Sequence, residues 1–124
     1  MTEEITEGGI TYEVVTYYSG TKWWYLNGKR HRVDGPAYEG ANGDKSWYLN
    51  GNWHRVDGPA VEGADGTKSW YLNGEYLTED EFKEFRVKLK ELKQHPEDAP
   101  LYLQDKHLGS IAQELLENGG IPVW

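Results

Sequence analysis

The chain of 124 residues contains six Trp and nine Tyr, has no Cys, and carries a formal net charge of −8. This length allows one domain, or one repeat array with an appendage, and the lack of Cys excludes disulfides, thiolate nucleophiles and Cys-ligated zinc. The acidic charge disfavours nucleic-acid binding, which needs a basic surface, and suits a protein partner that has one.

The N-terminal residues lack the basic and apolar regions of a signal peptide, and no apolar run is long enough to span a membrane. We therefore expect a cytoplasmic protein, in the host cytoplasm if it is viral. Residues 1–20 contain four Glu and no basic residue. Within them, Ile10–Tyr18 resembles the second half of the repeat unit that follows, and it predicts the edge strand that begins a sheet.

The middle of the chain is a tandem repeat with a period of 23 residues. WYLNG occurs at 24–28, 47–51 and 70–74, and HRVDGPA occurs at 31–37 and 54–60. Asn-Gly is a strong signal for a two-residue hairpin turn, because both residues tolerate positive φ, and Asp-Gly-Pro marks a second turn. The repeat therefore predicts an antiparallel meander of about six or seven short strands within residues 1–77.

Alternation along these strands divides their side chains between two faces. We expect the face that carries Trp24, Trp47 and Trp70, each with the Leu two residues on, to form the core. The opposite face then carries Tyr25, Tyr48 and Tyr71 as a column that faces water, with Trp23 at one end. A register error of one residue would exchange the two faces.

Two amphipathic helices are predicted over residues 78–124, and we expect this tail to pack on the sheet. Thr78 and Glu81 have the spacing of a capping box, and an apolar stripe follows at Phe82, Phe85, Leu89 and Leu92. His95-Pro96 and Asp98-Ala99-Pro100 interrupt the pattern. Asp105 is the expected N-cap of a second helix, which Gly119-Gly120 ends; its apolar stripe consists of Leu108, Ile111, Ala112, Leu115 and Leu116. The fold class is therefore α+β.

The pattern WYLNGxxHRVDGPA resembles the variant MORN-type repeats of bacterial, bacteriophage and giant-virus proteins, over about residues 20–77. The resemblance implies an elongated β-meander that serves as an interaction scaffold, with inhibitor-like or antitoxin-like roles in bacterial and phage settings. It brings no set of catalytic residues. Standard MORN repeats have a simpler His-Gly-x-Gly where this chain has His-Arg-Val-Asp-Gly-Pro, so a membrane-binding role is not expected.

The best candidates for catalysis are His31 with Asp34 and His54 with Asp57, since a His held by a carboxylate can act as a general base. Their duplication in successive units favours a structural role, and we expect no enzymatic activity. Equivalent positions lie two strand spacings apart, roughly 9–10 Å, which is too far for His31 and His54 to share one zinc ion. Neither a metal nor a cofactor is predicted.

The favoured function is protein binding, with a target such as a bacterial defence nuclease. In this hypothesis aromatic side chains supply the contact area and carboxylates at the start of the first helix attract a basic target. The partner-binding residues predicted are Trp23, Tyr25, Tyr48, Tyr71, Glu79, Asp80 and Glu84.

One alternative is a sponge that sequesters a nucleotide-type signalling molecule. A basic patch would hold its phosphate while an aromatic ring stacks on its base; the residues predicted for it are Lys29, Arg30, His31, Arg32, Trp53, His54 and Arg55. A structural or assembly protein is a further alternative, and a homo-oligomer could form through an exposed sheet edge.

Overall fold

The computed structural model describes residues 1–95, 97 and 108–118. The chain divides into two compact units, Met1–Tyr76 and Leu77–Trp124. Among the described residues, strands make up the first unit and two helices lie in the second, with the last strand ending at Leu77. The predicted α+β class, a meander followed by two C-terminal helices, is confirmed.

Eleven strands are found in the described part of the chain. They are β1 (Thr2–Glu7), β2 (Ile10–Thr16), β3 (Lys22–Leu26), β4 (Lys29–Arg30), β5 (Tyr38–Glu39), β6 (Lys45–Ser46), β7 (Tyr48–Leu49), β8 (Asn52–Trp53), β9 (Val61–Glu62), β10 (Lys68–Leu72) and β11 (Glu75–Leu77). The main sheet has the order β1-β2-β3-β5-β6-β9-β10-β11, β4 pairs with β3, and β7 and β8 form a separate ribbon. The registers are antiparallel.

The structure has more strands than the six or seven predicted, because one strand of a unit pairs with two different strands along its length. The first residues of β3 pair with the returning strand β5, whereas its last residues pair with β4 across the Asn-Gly turn. In that turn Asn27 has φ 52° and Gly28 has φ 78°, and the other two Asn-Gly pairs repeat this geometry. Positive φ at both positions is the signature of a type I′ turn. The predicted hairpins are thus confirmed.

Hydrogen bonds with the same 23-residue period join each unit to the next. The backbone N–H of Arg32 donates to the carbonyl of Tyr48 (3.1 Å), and that of Arg55 donates to Tyr71 (3.2 Å). Gly51 likewise donates to the carbonyl of Arg30 (2.9 Å), and Gly74 to that of Trp53 (2.8 Å). The segment after each hairpin therefore leaves the sheet to bind the next WYLNG motif, which explains why both motifs recur together.

The predicted buried Trp face is found only at Trp24, since Trp47 and Trp70 are half-buried. The predicted exposed Tyr face is wrong, because Tyr25 and Tyr71 are half-buried and Tyr48 is buried. Trp24 is buried with Tyr12 and Val14. Tyr48, however, is 8% exposed and belongs to the core, while Trp47 is only half-buried. The strand is interrupted at Trp47, between β6 and β7. Simple alternation therefore does not assign burial there.

The helices of the second unit are α1 (Glu79–Gln94) and α2 (Gly109–Asn118). Thr78 forms the predicted capping box: its Oγ1 accepts from the N–H of Glu81 (3.2 Å), whose carboxylate accepts from the N–H of Thr78 (2.9 Å). The predicted stripe of α1 is buried, and so are Leu108, Ile111, Ala112 and Leu115, while Leu116 is half-buried.

Helix α1 ends at Gln94, next to the predicted break, and His95 caps it by donating its N–H to the carbonyl of Glu91 (2.7 Å). Pro96, Asp98-Ala99-Pro100, Asp105 and Gly119-Gly120, named as breaks, cap and stop signal, lie outside the described residues. The packing of the tail on the sheet stays a prediction. Neither described helix has the length and apolar character needed to cross a bilayer.

Candidate binding surface

Five aromatic rings from three successive units form a continuous row, which we call the aromatic ladder. Its members, in order, are Trp23, Tyr48, Trp53, Tyr71 and Tyr76. Neighbouring ring centroids are 5.8, 6.0, 4.8 and 5.7 Å apart along this order. Tyr38 flanks the first ring at 4.5 Å. These distances and the tilted or edge-on angles are those of favourable aromatic pairs.

The ladder follows from the hairpin register. Tyr48 lies directly across from Trp53 in the β7–β8 ribbon, so both side chains project from the same face. The equivalent pair one unit earlier is Tyr25 with Arg30, and one unit later it is Tyr71 with Tyr76. The face thus combines the predicted Tyr column with the positions 30, 53 and 76 that oppose it.

The two exposed rings of the ladder, Trp53 and Tyr76, are among its last three members. The guanidinium of Arg30 lies over the rings of Trp23 (4.3 Å) and Tyr48 (5.7 Å), and Tyr48 is buried. Trp53 is 37% exposed, Tyr71 is half-buried and Tyr76 is 59% exposed. Trp53, Tyr71 and Tyr76 are therefore the open end of the ladder, where an aromatic surface meets solvent.

The sequence predicts only part of this surface. Trp23, Tyr48 and Tyr71 are in the ladder, as the predicted column requires, although Tyr48 does not face water. Tyr25 is half-buried and lies across from Glu13 on one side and Arg30 on the other. Tyr76 was missed, and the signal that identifies it is its 23-residue spacing from Trp53.

On the opposite face, two arginines cover the repeated indoles. Arg32 stacks on Trp24 at 3.6 Å and Arg55 stacks on Trp47 at 3.7 Å. Each guanidinium also donates from Nη1 to a backbone carbonyl of its own loop, Arg32 to Pro36 (3.1 Å) and Arg55 to Pro59 (3.0 Å). A planar guanidinium can stack and donate at the same time, so these arginines hold each loop against its strand.

The arginines differ in their carboxylate partners. Arg32 binds Glu7 bidentately, from Nε (3.0 Å) and Nη2 (2.8 Å), and this hydrogen bonding holds the pKa of Glu7 below its ordinary value. Arg55 binds Asp57 (2.8 Å), whose side chain is 60% exposed, and lies 3.4 Å from Glu62. Arg55 therefore pairs with the Asp of its own loop, whereas Arg32 pairs with a residue of the β1–β2 hairpin.

The histidines of the repeat join neighbouring units. His31 Nδ1 accepts from the backbone N–H of Asn50 (2.9 Å), and His54 Nδ1 accepts from that of Asn73 (3.0 Å). Burial lowers the pKa of His31, which favours the neutral ring that can accept this bond. Both residues thus have the structural role that their duplication predicted.

These contacts divide the predicted anion-binding residues among several environments. His31, Arg32, His54 and Arg55 bind within the array, and Trp53 belongs to the ladder. Lys29 and Arg30 are exposed on β4. The guanidinium groups of Arg32 and Arg55 and the imidazole groups of His31 and His54 thus already bind residues of this chain, and anion binding by the whole set stays a prediction.

The predicted acidic residues Glu79, Asp80 and Glu84 are exposed on α1, in the second unit. Glu79 lies 3.9 Å from Lys83, one turn further on. Across the described residues, no three His, Asp or Glu side chains group closely enough to hold a metal ion.

Taken together, the fold and this surface define a β-repeat array that presents aromatic rings to solvent. Comparison with protein-family models, with curated proteins and with solved structures finds no significant match. The resemblance to MORN-type repeats therefore stays a prediction from the motifs.

Proposed function

We propose that this protein is a non-enzymatic binding protein of inhibitor or antitoxin type, which binds a protein target through the open end of the aromatic ladder. The observation that carries the proposal is the exposure of Trp53 and Tyr76 beside the half-buried Tyr71. Neighbouring rings of the ladder pack against them, so little side-chain freedom is lost when a partner covers them.

The chemistry of these rings favours a protein partner. Trp and Tyr are enriched among the residues that contribute most to protein interfaces, because they combine a large apolar area with a polar group at the edge. The net charge of −8 would raise the association rate with a basic target and disfavour acidic ones. The motif resemblance extends the proposal to targets such as a defence nuclease, in a cytoplasmic setting.

The spacing of the aromatic rings supports a protein partner over a nucleotide. Neighbouring rings of the open end are 4.8 and 5.7 Å apart, so they fill the space between themselves and leave no slot for a base. The guanidinium groups of Arg32 and Arg55 bind carboxylates of the array. We therefore favour protein binding over the sponge hypothesis.

The test is affinity capture with paired variants. The immobilised chain and the double variant Trp53→Ser/Tyr76→Ser are compared in low and high salt against a lysate of the source cells. We expect a protein that the parent chain retains in low salt and the variant loses. Truncation of an interface hot spot costs about 2 kcal/mol or more, roughly a 30-fold loss of affinity.

Tyr18→Ser is the matched control, because Tyr18 is fully exposed on the β2–β3 turn and outside the ladder. It should retain the partner as the parent chain does. A partner that the double variant binds equally well would refute the proposed surface, and a parent chain that retains nothing would refute the proposed function.

A further inference from the structure

The first strand of the sheet has one paired edge and one outer edge. β1 pairs with β2 in register along all six of its residues, from Thr2 opposite Val15 to Glu7 opposite Ile10. In the sheet order it occupies the end position. Among the described residues no strand pairs with its other side, so the backbone groups on that side have no ladder partner.

The hydrogen-bond pattern identifies which backbone groups point outward. Met1 and Thr16 form a hydrogen-bonded pair. The N–H of Thr16 donates to the carbonyl of Met1 (2.7 Å), and the amino group of Met1 donates to the carbonyl of Thr16 (2.8 Å). Hydrogen-bonded and non-hydrogen-bonded pairs alternate in an antiparallel ladder. Thr2, Glu4 and Thr6 therefore direct their N–H and C=O groups away from β2, and all three residues are exposed.

The charged side chains of this strand are all acidic. Glu3 and Glu4 are exposed, and Glu4 lies directly across from the exposed Glu13 of β2. Like charges in opposed positions destabilise a strand pair, and a cation beside them would relieve that repulsion. Glu7 already has such a cation in Arg32, whereas residues 1–20 contain no Lys, Arg or His.

We propose that the outer edge of β1 accepts an extended, basic segment of a partner protein as an additional antiparallel strand. The backbone groups of Thr2, Glu4 and Thr6 supply main-chain hydrogen bonds, as in other cases of strand addition. Side chains supply the selectivity: Lys or Arg opposite Glu3 and Glu4, and an apolar residue opposite the half-buried Ile5. This site lies beyond the proposed ladder function and does not depend on it.

The probe is a capped hexapeptide, KTVKKT, whose sequence runs antiparallel to β1 with Val opposite Ile5 and Lys opposite Glu4. It is titrated into the full ¹⁵N-labelled chain and followed by NMR. We expect saturable shifts of the Thr2, Glu4 and Thr6 amides, and at least tenfold slower hydrogen exchange at these three than in the free chain. Smaller changes are expected at Glu3 and Ile5, whose amides already bond to β2.

Methylated peptides separate strand addition from a general attraction of charges. N-methyl groups on the second, fourth and sixth peptide residues, which face β1, should abolish binding. The same groups on the first, third and fifth residues should leave it within about threefold. Equal effects of the two peptides, or equal binding of the acidic peptide ETVEET, would overturn the proposal.

Variants of the chain complete the test. Glu4→Lys should weaken peptide binding at least tenfold while keeping the hairpin folded, because the new cation lies opposite Glu13. Trp53→Ser should leave peptide binding unchanged, so a failure of the edge site is distinguishable from a failure of the ladder. If hydrogen exchange of the three outward amides is slow in the free chain and becomes faster on dilution, a second copy of the chain occupies this edge. That result would also overturn the proposal.

Discussion

Replacement of Arg32 by Ala should destabilise the array more than the same change at Arg55, although the two arginines occupy equivalent positions. Their stacking distances on Trp24 and Trp47 differ by only 0.1 Å, at 3.6 and 3.7 Å, and both donate to a Pro carbonyl. These shared contacts cancel when the two variants are compared. Each guanidinium also lies near one equivalent Glu, Arg32 at 3.8 Å from Glu39 and Arg55 at 3.4 Å from Glu62. The main remaining difference is the other carboxylate that each guanidinium binds.

The difference in unfolding free energy between the two variants follows from the exposure of those carboxylates. The side chains of Arg32 and Glu7 are 14% and 27% exposed, and a hydrogen-bonded charge pair of this kind contributes about 1.5–3 kcal/mol. Asp57 is 60% exposed, so solvent screens its attraction to Arg55 to about 0–1 kcal/mol. We expect Arg32→Ala to cost roughly 1.5 kcal/mol more than Arg55→Ala, on top of a shared loss of about 1 kcal/mol for the stack.

Urea denaturation followed by circular dichroism measures both values at pH 7. A double-mutant cycle of Arg32→Ala with Glu7→Gln should recover a coupling of about 1–2 kcal/mol, since contacting charged residues are not additive. The pKa of Glu7 is lowered in the folded chain. Its contribution is therefore present above the unfolded value of 4.5 and is lost as the pH falls through the folded value. Equal costs for the two Arg variants would refute this assignment.

Three further predictions test other parts of the structure. Burial lowers the pKa of His31 below 6.5, so the unfolded chain binds more protons than the folded chain at acidic pH. The free energy of unfolding should therefore fall as the pH drops from about 6.5 through the pKa of the folded state. His31→Gln should reduce this pH dependence, as measured by denaturation curves at pH 7.5 and 5.5. Tyr48→Ala should cost about 3–5 kcal/mol in urea denaturation, because its ring is buried between Trp23 and Trp53; an unchanged transition would show that the ring contributes little to the core. Thr78→Ala should cost about 1 kcal/mol by loss of the cap, whereas Thr78→Asp should retain most of the helix signal in circular dichroism.

Local signals account for the parts of the fold that the sequence predicts well. An Asn-Gly turn depends on two residues, so the three hairpins follow from their φ preferences alone. The capping box at Thr78 depends on four residues, and the stripe of α1 on the helical period. None of these features requires knowledge of what lies across the sheet.

Burial in the second unit could not be predicted in this way, because it depends on contacts between units. Alternation assigns Tyr48 to the exposed face, yet the ring is enclosed by Trp23 from one unit, by Trp53 across its own hairpin, and by Arg30 above. The contacts of the predicted basic residues likewise depend on other parts of the chain. Arg32 binds Glu7, and His31 accepts from the N–H of Asn50.

The third unit indicates that the ladder is more than a by-product of the repeat. In that unit the positions equivalent to His54 and Arg55 are occupied by Leu77, which is fully buried, and Thr78, which caps α1. The groups that would bind a fourth unit are therefore replaced. The ladder position is not replaced: Tyr76 stands where Trp53 stands one unit earlier, contacts Tyr71, and is 59% exposed. An array that needed aromatic rings only to join its units could end with a polar residue at 76. An exposed Tyr at this position supports the proposed contact with a partner. Tyr76→Ser should therefore weaken partner capture, while the loss of its pair with Tyr71 should cost only about 1 kcal/mol in urea denaturation.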